Sequence, residues 1–468
     1  IMIGINMATK KIEFGTDGFR GIIAGDFTFE NVQKISHGII KYLRDNLPDR
    51  KSILIGYDPR FMADEFARFC ADIFVAAGYD TMLSNCVCPT PVLAYAATVA
   101  KNSAGAVMFT ASHNPKNYLG MKFIPNYGGP ATKQITDIIV KNIEEGYTAP
   151  FCGGGKIINS DFREVYFSHL ESLIDFNTIK KANIKFIYDG LFSASIGTFD
   201  EILNRHGINY EIVNNHYDPN FGGFLPEPKE KFMHHKKNGF LTFANDGDAD
   251  RYGVIDENGQ WVSPNEILAI LLKYLVENKN AQGKMIKTVG VSALVDVVSQ
   301  KLNIETETTP VGFKWLSEKM RKCPAILAGE DSGGLSTGSH IPEKDGIYAN
   351  LLILEMISTL QKPLCALRSE LLEFAGVNFY CDRVDVKLED KEQMCSLQQK
   401  FLQMFDIAGM QIYDVLKVDG AKFYLGEEKL SWVLMRPSGT EPLLRFYIES
   451  DSTETLDKIK EFIHSHTS

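Results

Sequence analysis

Residues 104–123 read AGAVMFTASHNPKNYLGMKF. The short apolar run to Phe109 has the pattern of a buried strand; it breaks at Thr110-Ala111-Ser112-His113-Asn114-Pro115, and an apolar rhythm then resumes. Serine beside histidine on such a bend suggests a hydrolase. Against that, there is no G-x-S-x-G elbow, and neighbours on a turn seldom face each other as a nucleophile and its base must.

Outward from this bend, strands alternate with helices. In FTFENVQKISHGIIKYLRDN (27–46), Val32, Ile35, Ile39, Ile40 and Leu43 recur at helical spacing, and KSILIGYDPR (51–60) follows as a β-branched run ending at a turn signal. Comparable units begin at IKFIYDG (184–190) and KTVGVSALVDVVSQKL (287–302), so α/β domains are expected. The glycines of APFCGGGK (149–156) and the turn DENGQW (256–261) suggest breaks. Beyond 372 the pattern changes to VNFYCDRVDVKL, a helix KEQMCSLQQKFLQMF, two more strands and a final helix STETLDKIKEFIHSH, a smaller α+β domain. The expected domains are 1–152, 153–257, 258–372 and 373–468.

Composition narrows the function classes. A chain of 468 residues, 44% hydrophobic and 23% charged, is globular and too long for one ordinary domain. Lys+Arg 49 against Asp+Glu 59 leaves a net charge of -10, which argues against nucleic acid as a partner. No run approaches the roughly 20 apolar residues of a membrane span. The eight cysteines are scattered, and Cys86-Val87-Cys88 lacks the spacing of a zinc or redox motif, so free thiols in a reducing cytoplasm are expected.

Four further segments carry chemistry. NDGDADRYGV places Asp246, Asp248 and Asp250 at alternate positions, where three hard oxygen donors can converge on Mg²⁺ or a similar cation; the alternative is a solvated acidic turn. The spacing imitates an EF-hand, with Glu257 at its twelfth position, but Arg251 stands where that loop needs glycine and the flanks read as strands. MRPSGTEPLLRFYIES sets Arg436, Ser438, Gly439, Thr440 and Arg445 around a tight turn, which suits a phosphate or is simply a turn. GEDSGGLSTGSHIPEKDG (329–346) reads as one long polar loop in which Glu330 and Ser332 can meet sugar hydroxyls, with His340 and Lys344 further along. FGTDGFRG (14–21) offers Arg20 on a glycine-rich turn.

Taken in order, GTDGFRG, TASHNP, DGDADR, GEDSGG with EKDG, and RPSGTEP closely resemble the α-D-phosphohexomutases, the phosphoglucomutase and phosphomannomutase superfamily. DPNFGGFLPEP (218–228) and TPVGFKW (309–315) add to the resemblance, which spans residues 14 to about 450. It implies a four-domain, heart-shaped molecule of three α/β domains and a C-terminal α+β domain, with the active site in a central cleft. Ser112 would be the phosphorylated serine, and Asp246, Asp248 and Asp250 would hold Mg²⁺ with a phosphoserine oxygen from Ser112 completing the set and Arg251 nearby. Arg436, Ser438, Gly439, Thr440 and Arg445 would bind the phosphate that is not transferred, and Glu330 and Ser332 the sugar, with Gly312 and Lys314 in the adjoining loop. Arg20, His113, Lys122 and Lys344 match further cleft positions, with Lys122 or Lys344 assisting proton transfer. Some members read Glu-x-Ser-Gly-His in the sugar loop, where this chain has Gly334, which puts acid/base work by a histidine there in doubt.

The implied activity interconverts hexose 1-phosphate and hexose 6-phosphate through a hexose 1,6-bisphosphate, with glucose first and mannose second. A phosphoglucosamine mutase, an inactive phosphosugar-binding relative and an aspartyl-phosphate phosphatase are the alternatives. The implied protein is cytoplasmic, a monomer or homodimer, with a small phosphosugar as its partner and neither nucleic acid nor membrane.

Overall fold

The computed structural model describes residues 12, 14–15, 18–438 and 442–467. They form two compact units: one runs to Val262 and includes Gly333–Pro363, and the other holds Ser263–Ser332 and Leu364 onward.

The first unit contains two sheets. Its first sheet has the strand order Phe19–Ile22, Tyr118–Pro125, Ser103–Phe109, Ser52–Tyr57, Asp80–Ser84, Ile157–Ser160. Ser52–Tyr57 pairs in parallel with both of its neighbours, and its Ile53, Leu54 and Ile55 are wholly buried, as a strand covered by helices on both faces requires. The helix Phe29–Asn46 covers this sheet with Val32, Ile35, Ile39, Ile40 and Leu43, the stripe expected from their spacing, and Thr28 caps its start by accepting from the Asn31 N–H. Ser103–Phe109 and Tyr118–Pro125 run antiparallel, with Val107 opposite Phe123, so the serine bend joins two strands buried throughout most of their length.

The second sheet has the order Trp261–Val262, Tyr252–Ile255, Leu241–Asn245, Phe186–Asp189, Glu211–Val213. Leu241–Asn245 and Tyr252–Ile255 are an antiparallel pair with the three-aspartate loop at its tip, flanked by strands as expected. The helix Gly346–Leu360 packs on both of these strands and is buried on nearly every side, which explains its unbroken apolar sequence. Past APFCGGGK, Ile157–Ser160 still pairs with Asp80–Ser84 in the first sheet, and the DENGQW turn closes a hairpin in which Ile255 faces Trp261.

In the second unit, Thr306–Thr309, Lys284–Thr288 and Ala325–Gly329 pair in parallel. Pro264–Glu277, closed by a capping box of Ser263 and Glu266, packs against Ala325–Gly329 and against Ala293–Lys301. The C-terminal antiparallel sheet has the order Tyr380–Lys387, Leu443–Ser450, Ser431–Pro437, Ala421–Leu425, Met410–Leu416, Asp406–Ile407, with the helix Thr453–Thr467 against it. Among the described residues five strands, rather than the expected two, follow the helix Lys391–Leu402, because the half-exposed alternation of Met410–Leu416 is a weak sequence signal.

Candidate active site

The serine bend is a strained and anchored turn. Ser112 has φ 51°, left-handed for a residue that carries a Cβ, and is only 2% exposed. Its N–H donates to Thr110 Oγ1 at 2.8 Å, and its Oγ donates to Asp246 Oδ2 at 2.9 Å. His113 Nδ1 lies 3.4 Å from the same Oγ. Burial first, then the charges of Arg251 and Arg20, push the His113 imidazole down to about 3, so the ring is neutral at physiological pH. Arg20 donates to Asn114 Oδ1 at 2.7 Å and thereby reaches the bend.

Asp246, Asp248 and Asp250 are buried, each with one carboxylate oxygen within 4.8 Å of the others. Lys122, on the strand that leaves the serine bend, donates to Asp248 Oδ2 at 2.8 Å and lies 3.5 Å from Asp250 Oδ2. Lys344 lies 3.1 Å from Asp250 Oδ2. Its neighbour Asp345 is held by Tyr166 and His340, each at 2.7 Å, and caps the helix Gly346–Leu360 by accepting from the Tyr348 N–H. Thr90 donates its hydroxyl to Asp248 Oδ2 at 2.7 Å. Burial opposes the charge on Asp248, but Lys122, Thr90 and Lys344 outweigh it and hold the carboxyl well below its usual range. Asp246 goes the other way, raised by burial and by the charges of Asp250 and Asp248. Arg251 donates its N–H to Asp246 Oδ1 at 3.0 Å, and its side chain lies 3.9 Å from Asp250 Oδ1.

Among the described residues, Asp248 Oδ1 and Asp250 Oδ1 are buried without a hydrogen-bond partner. Hard, anionic, converging and partly unsatisfied, this donor set fits a divalent cation of the magnesium type.

The second unit gathers the remaining expected residues. Glu330 Oε1 accepts from the Gly312 N–H at 3.1 Å, and Ser332 lies 3.4 Å from Glu330 Oε2. Lys314, in the helix Phe313–Met320, has its Nζ 5.1 Å from the Trp315 ring centroid. Arg436 and Arg445 face each other across neighbouring antiparallel strands, and the Nε of each is buried without a partner among the described residues. Like charges directly opposite repel, so this pair suits an anion. Asp419 Oδ2 holds Arg436 at 2.9 Å and accepts from the Val311 N–H at 3.2 Å. Ser438 closes the turn through its N–H to Leu443 O at 2.8 Å. Gly439 and Thr440 lie outside the described residues.

The segment 329–346 is therefore divided: Glu330 and Ser332 belong to one unit and His340 and Lys344 to the other, and a short strand, Leu335–Thr337, interrupts the expected loop. Asp58, Arg60, Thr90, Glu343 and Asp419 are polar groups around these sites that the sequence reading passed over. The only local signal for the first two was a charged pair at the end of a buried strand, in GYDPR.

Four sequence models of phosphoglucomutase/phosphomannomutase match along the chain: α/β/α domain I at 11–149, domain II at 164–259, domain III at 263–374 and the C-terminal domain at 384–465. The chain belongs to the phosphoglucomutase/phosphomannomutase family. Its three α/β domains and its C-terminal α+β domain are that family's four-domain architecture. A phosphoglucomutase of Komagataeibacter xylinus is 27% identical over 95% of this chain and 88% of its own. A phosphoglucosamine mutase of Clostridium acetobutylicum is 30% identical over 95% and 96%. The solved structure of a phosphomannomutase candidate from Thermus thermophilus superposes with a TM-score of 0.83 at 30% identity, covering 97% of this chain and 98% of that one. This family member is thus a phosphohexomutase-type isomerase acting on small phosphosugars. No described helix is long and apolar enough to cross a membrane.

Proposed function

We propose that the protein interconverts hexose 1-phosphate and hexose 6-phosphate, glucose before mannose, with Ser112 as the phosphoryl relay. The observation that carries this reading is the Ser112 hydroxyl, buried in a left-handed turn and bonded to Asp246 at 2.9 Å beside two under-satisfied carboxylates. Phospho-Ser112 gives its phosphoryl group to the free hydroxyl of the hexose monophosphate; the Ser Oγ–P bond breaks as the sugar O–P bond forms, and the sugar hydroxyl loses its proton. The bisphosphate then turns over and returns its other phosphate to Ser112.

Asp246, Asp248 and Asp250, joined by Ser112, would hold Mg²⁺, which when bound neutralises charge on the transferring group. Lys122 and Lys344, held against Asp248 and Asp250, are the candidates for moving the sugar hydroxyl's proton. Arg436, Arg445, Ser438, Gly439 and Thr440 grip the other phosphate, Glu330 and Ser332 the ring hydroxyls, and Gly312 and Lys314 border them. Arg20, His113 and Arg251 supply the polar surround of the serine. All eight cysteines are free thiols, in keeping with a cytoplasmic location.

Phosphoglucosamine mutase is the second reading, favoured by relatives of that name at 30% identity. Comparing kcat/KM for glucose, mannose and glucosamine 1-phosphates separates the two, and a glucosamine preference overturns the first. Ser112→Ala should abolish turnover while leaving phosphosugar binding in place. If that variant isomerises glucose 1-phosphate at the wild-type rate, the relay is elsewhere.

A further inference from the structure

Beneath the serine bend lies a buried ion pair that is hydrogen-bonded to the bend. Asp58 and Arg60 follow the strand Ser52–Tyr57, and both side chains are 0% exposed. A guanidinium carries five N–H donors in a fixed fork, and here all five have acceptors. Nε donates to Asp58 Oδ2 at 3.1 Å. Nη1 donates to the carbonyls of Pro115 at 2.9 Å and Tyr118 at 3.0 Å. Nη2 donates to those of Ser112 at 2.7 Å and Asn114 at 2.8 Å. Phe221 stacks on the same group, its ring centroid 4.9 Å away, which gives the DPNFGGFLPEP segment a packing role. Asp58 acts from the other side: its Oδ2 accepts from Thr110 Oγ1 at 2.6 Å, and Thr110 Oγ1 accepts the Ser112 N–H at 2.8 Å.

The pair therefore holds both backbone polar groups of Ser112, its N–H through Thr110 and its C=O directly. Three carbonyl dipoles of the bend and that of Tyr118 point at one buried cation, so none of those four oxygens is left to oppose an anion at Ser112 Oγ. A left-handed serine persists only where its surroundings over-determine it, and these contacts do so. We propose that Asp58 and Arg60 are positioning residues for phosphoryl transfer, fixing the direction of Ser112 Oγ toward the aspartate loop. This rests on the mutase reading of Ser112.

Lysine keeps the charge of Arg60 and cannot reproduce the fork, so Arg60→Lys is the discriminating variant. With Mg²⁺, glucose 1-phosphate and glucose 1,6-bisphosphate, kcat should fall about 30-fold or more while KM stays within about threefold, because orientation of the reacting group is lost and substrate binding is not. Intact mass should show slower phosphorylation of the variant by the bisphosphate, and the 104–123 peptide should exchange amide hydrogens faster. Asp58→Asn and Thr110→Val, which weaken the other half of the clamp, should show the same split between kcat and KM and decide the matter if Arg60→Lys does not fold. Wild-type kcat in folded Arg60→Lys, or equal losses in kcat and binding, overturns the proposal. A wild-type protein that turns over without phosphate on Ser112 overturns the underlying reading instead.

Discussion

Gly247 shows how little room separates the two loops that meet at Ser112. A Cβ built on this residue would stand 2.5 Å from the Ser112 carbonyl oxygen, a distance real Cβ atoms do not tolerate, and the oxygen is already fixed by Arg60. Gly247→Ala must therefore push the aspartate loop away from the serine. Displacements near 1 Å in reacting groups cost roughly 100-fold in rate, so the variant should lose about that much kcat, with KM for the phosphosugar little changed; near-wild-type kcat would show that the loops adjust freely. Ser112 itself was legible in the sequence as a polar residue at the end of an apolar run. Its partner Asp246, 134 positions away, was joined to it only through the family resemblance, and Arg60, 52 positions away, left no signal of the contact at all.

At the scale of elements, the helix Thr90–Val99 begins against the aspartate loop: the Thr90 N–H donates to the Asp248 carbonyl at 2.9 Å and the Thr90 hydroxyl to its carboxylate. A helix N-terminus is a favourable neighbour for a carboxylate. Thr90→Val leaves that buried carboxylate short of one donor, which costs about 1–3 kcal/mol; urea unfolding should register the loss, and an unchanged midpoint would contradict it. The strand Ala421–Leu425 buries Lys422, whose Nζ lies 3.7 Å from the Trp432 ring centroid and donates to the Val289 carbonyl at 2.9 Å. Burial first, then the charge of Lys287, pushes Lys422 down to about 7, with Asp296, Glu449 and Asp331 opposing. Between about 7 and the ordinary 10.5 the unfolded chain holds a proton that the folded chain lacks, so stability rises with pH across that window and is lost as pH falls toward 7. Lys422→Met should flatten this rise in denaturant midpoints measured from pH 7 to 10, and a slope equal to wild type would remove Lys422 as its source.

The whole molecule divides its candidate ligand groups between two compact units, carboxylates in one and the facing arginines in the other. A ligand that binds only the folded form stabilises it by about 2.7 kcal/mol at a hundredfold excess over Kd. Calorimetry should thus show Mg²⁺ raising the transition of the first unit and inorganic phosphate that of the second; either ligand moving the opposite transition would misplace its site. Sequence alone determined the strands and helices around the serine bend, the three-aspartate hairpin with its strand flanks, and the ordered motifs that identify the family, because local pattern encodes torsion preference and burial. The resemblance implied that serine and aspartates meet, and only tertiary structure decided which other groups join them. Strand order in the first sheet departs from chain order, and that places Arg60 under the serine bend. Thr90 reaches Asp248 across 158 positions, and one polar segment is shared between two units. Side-chain partners follow from how strands are ordered in space, and nothing in a residue's near neighbours records that order.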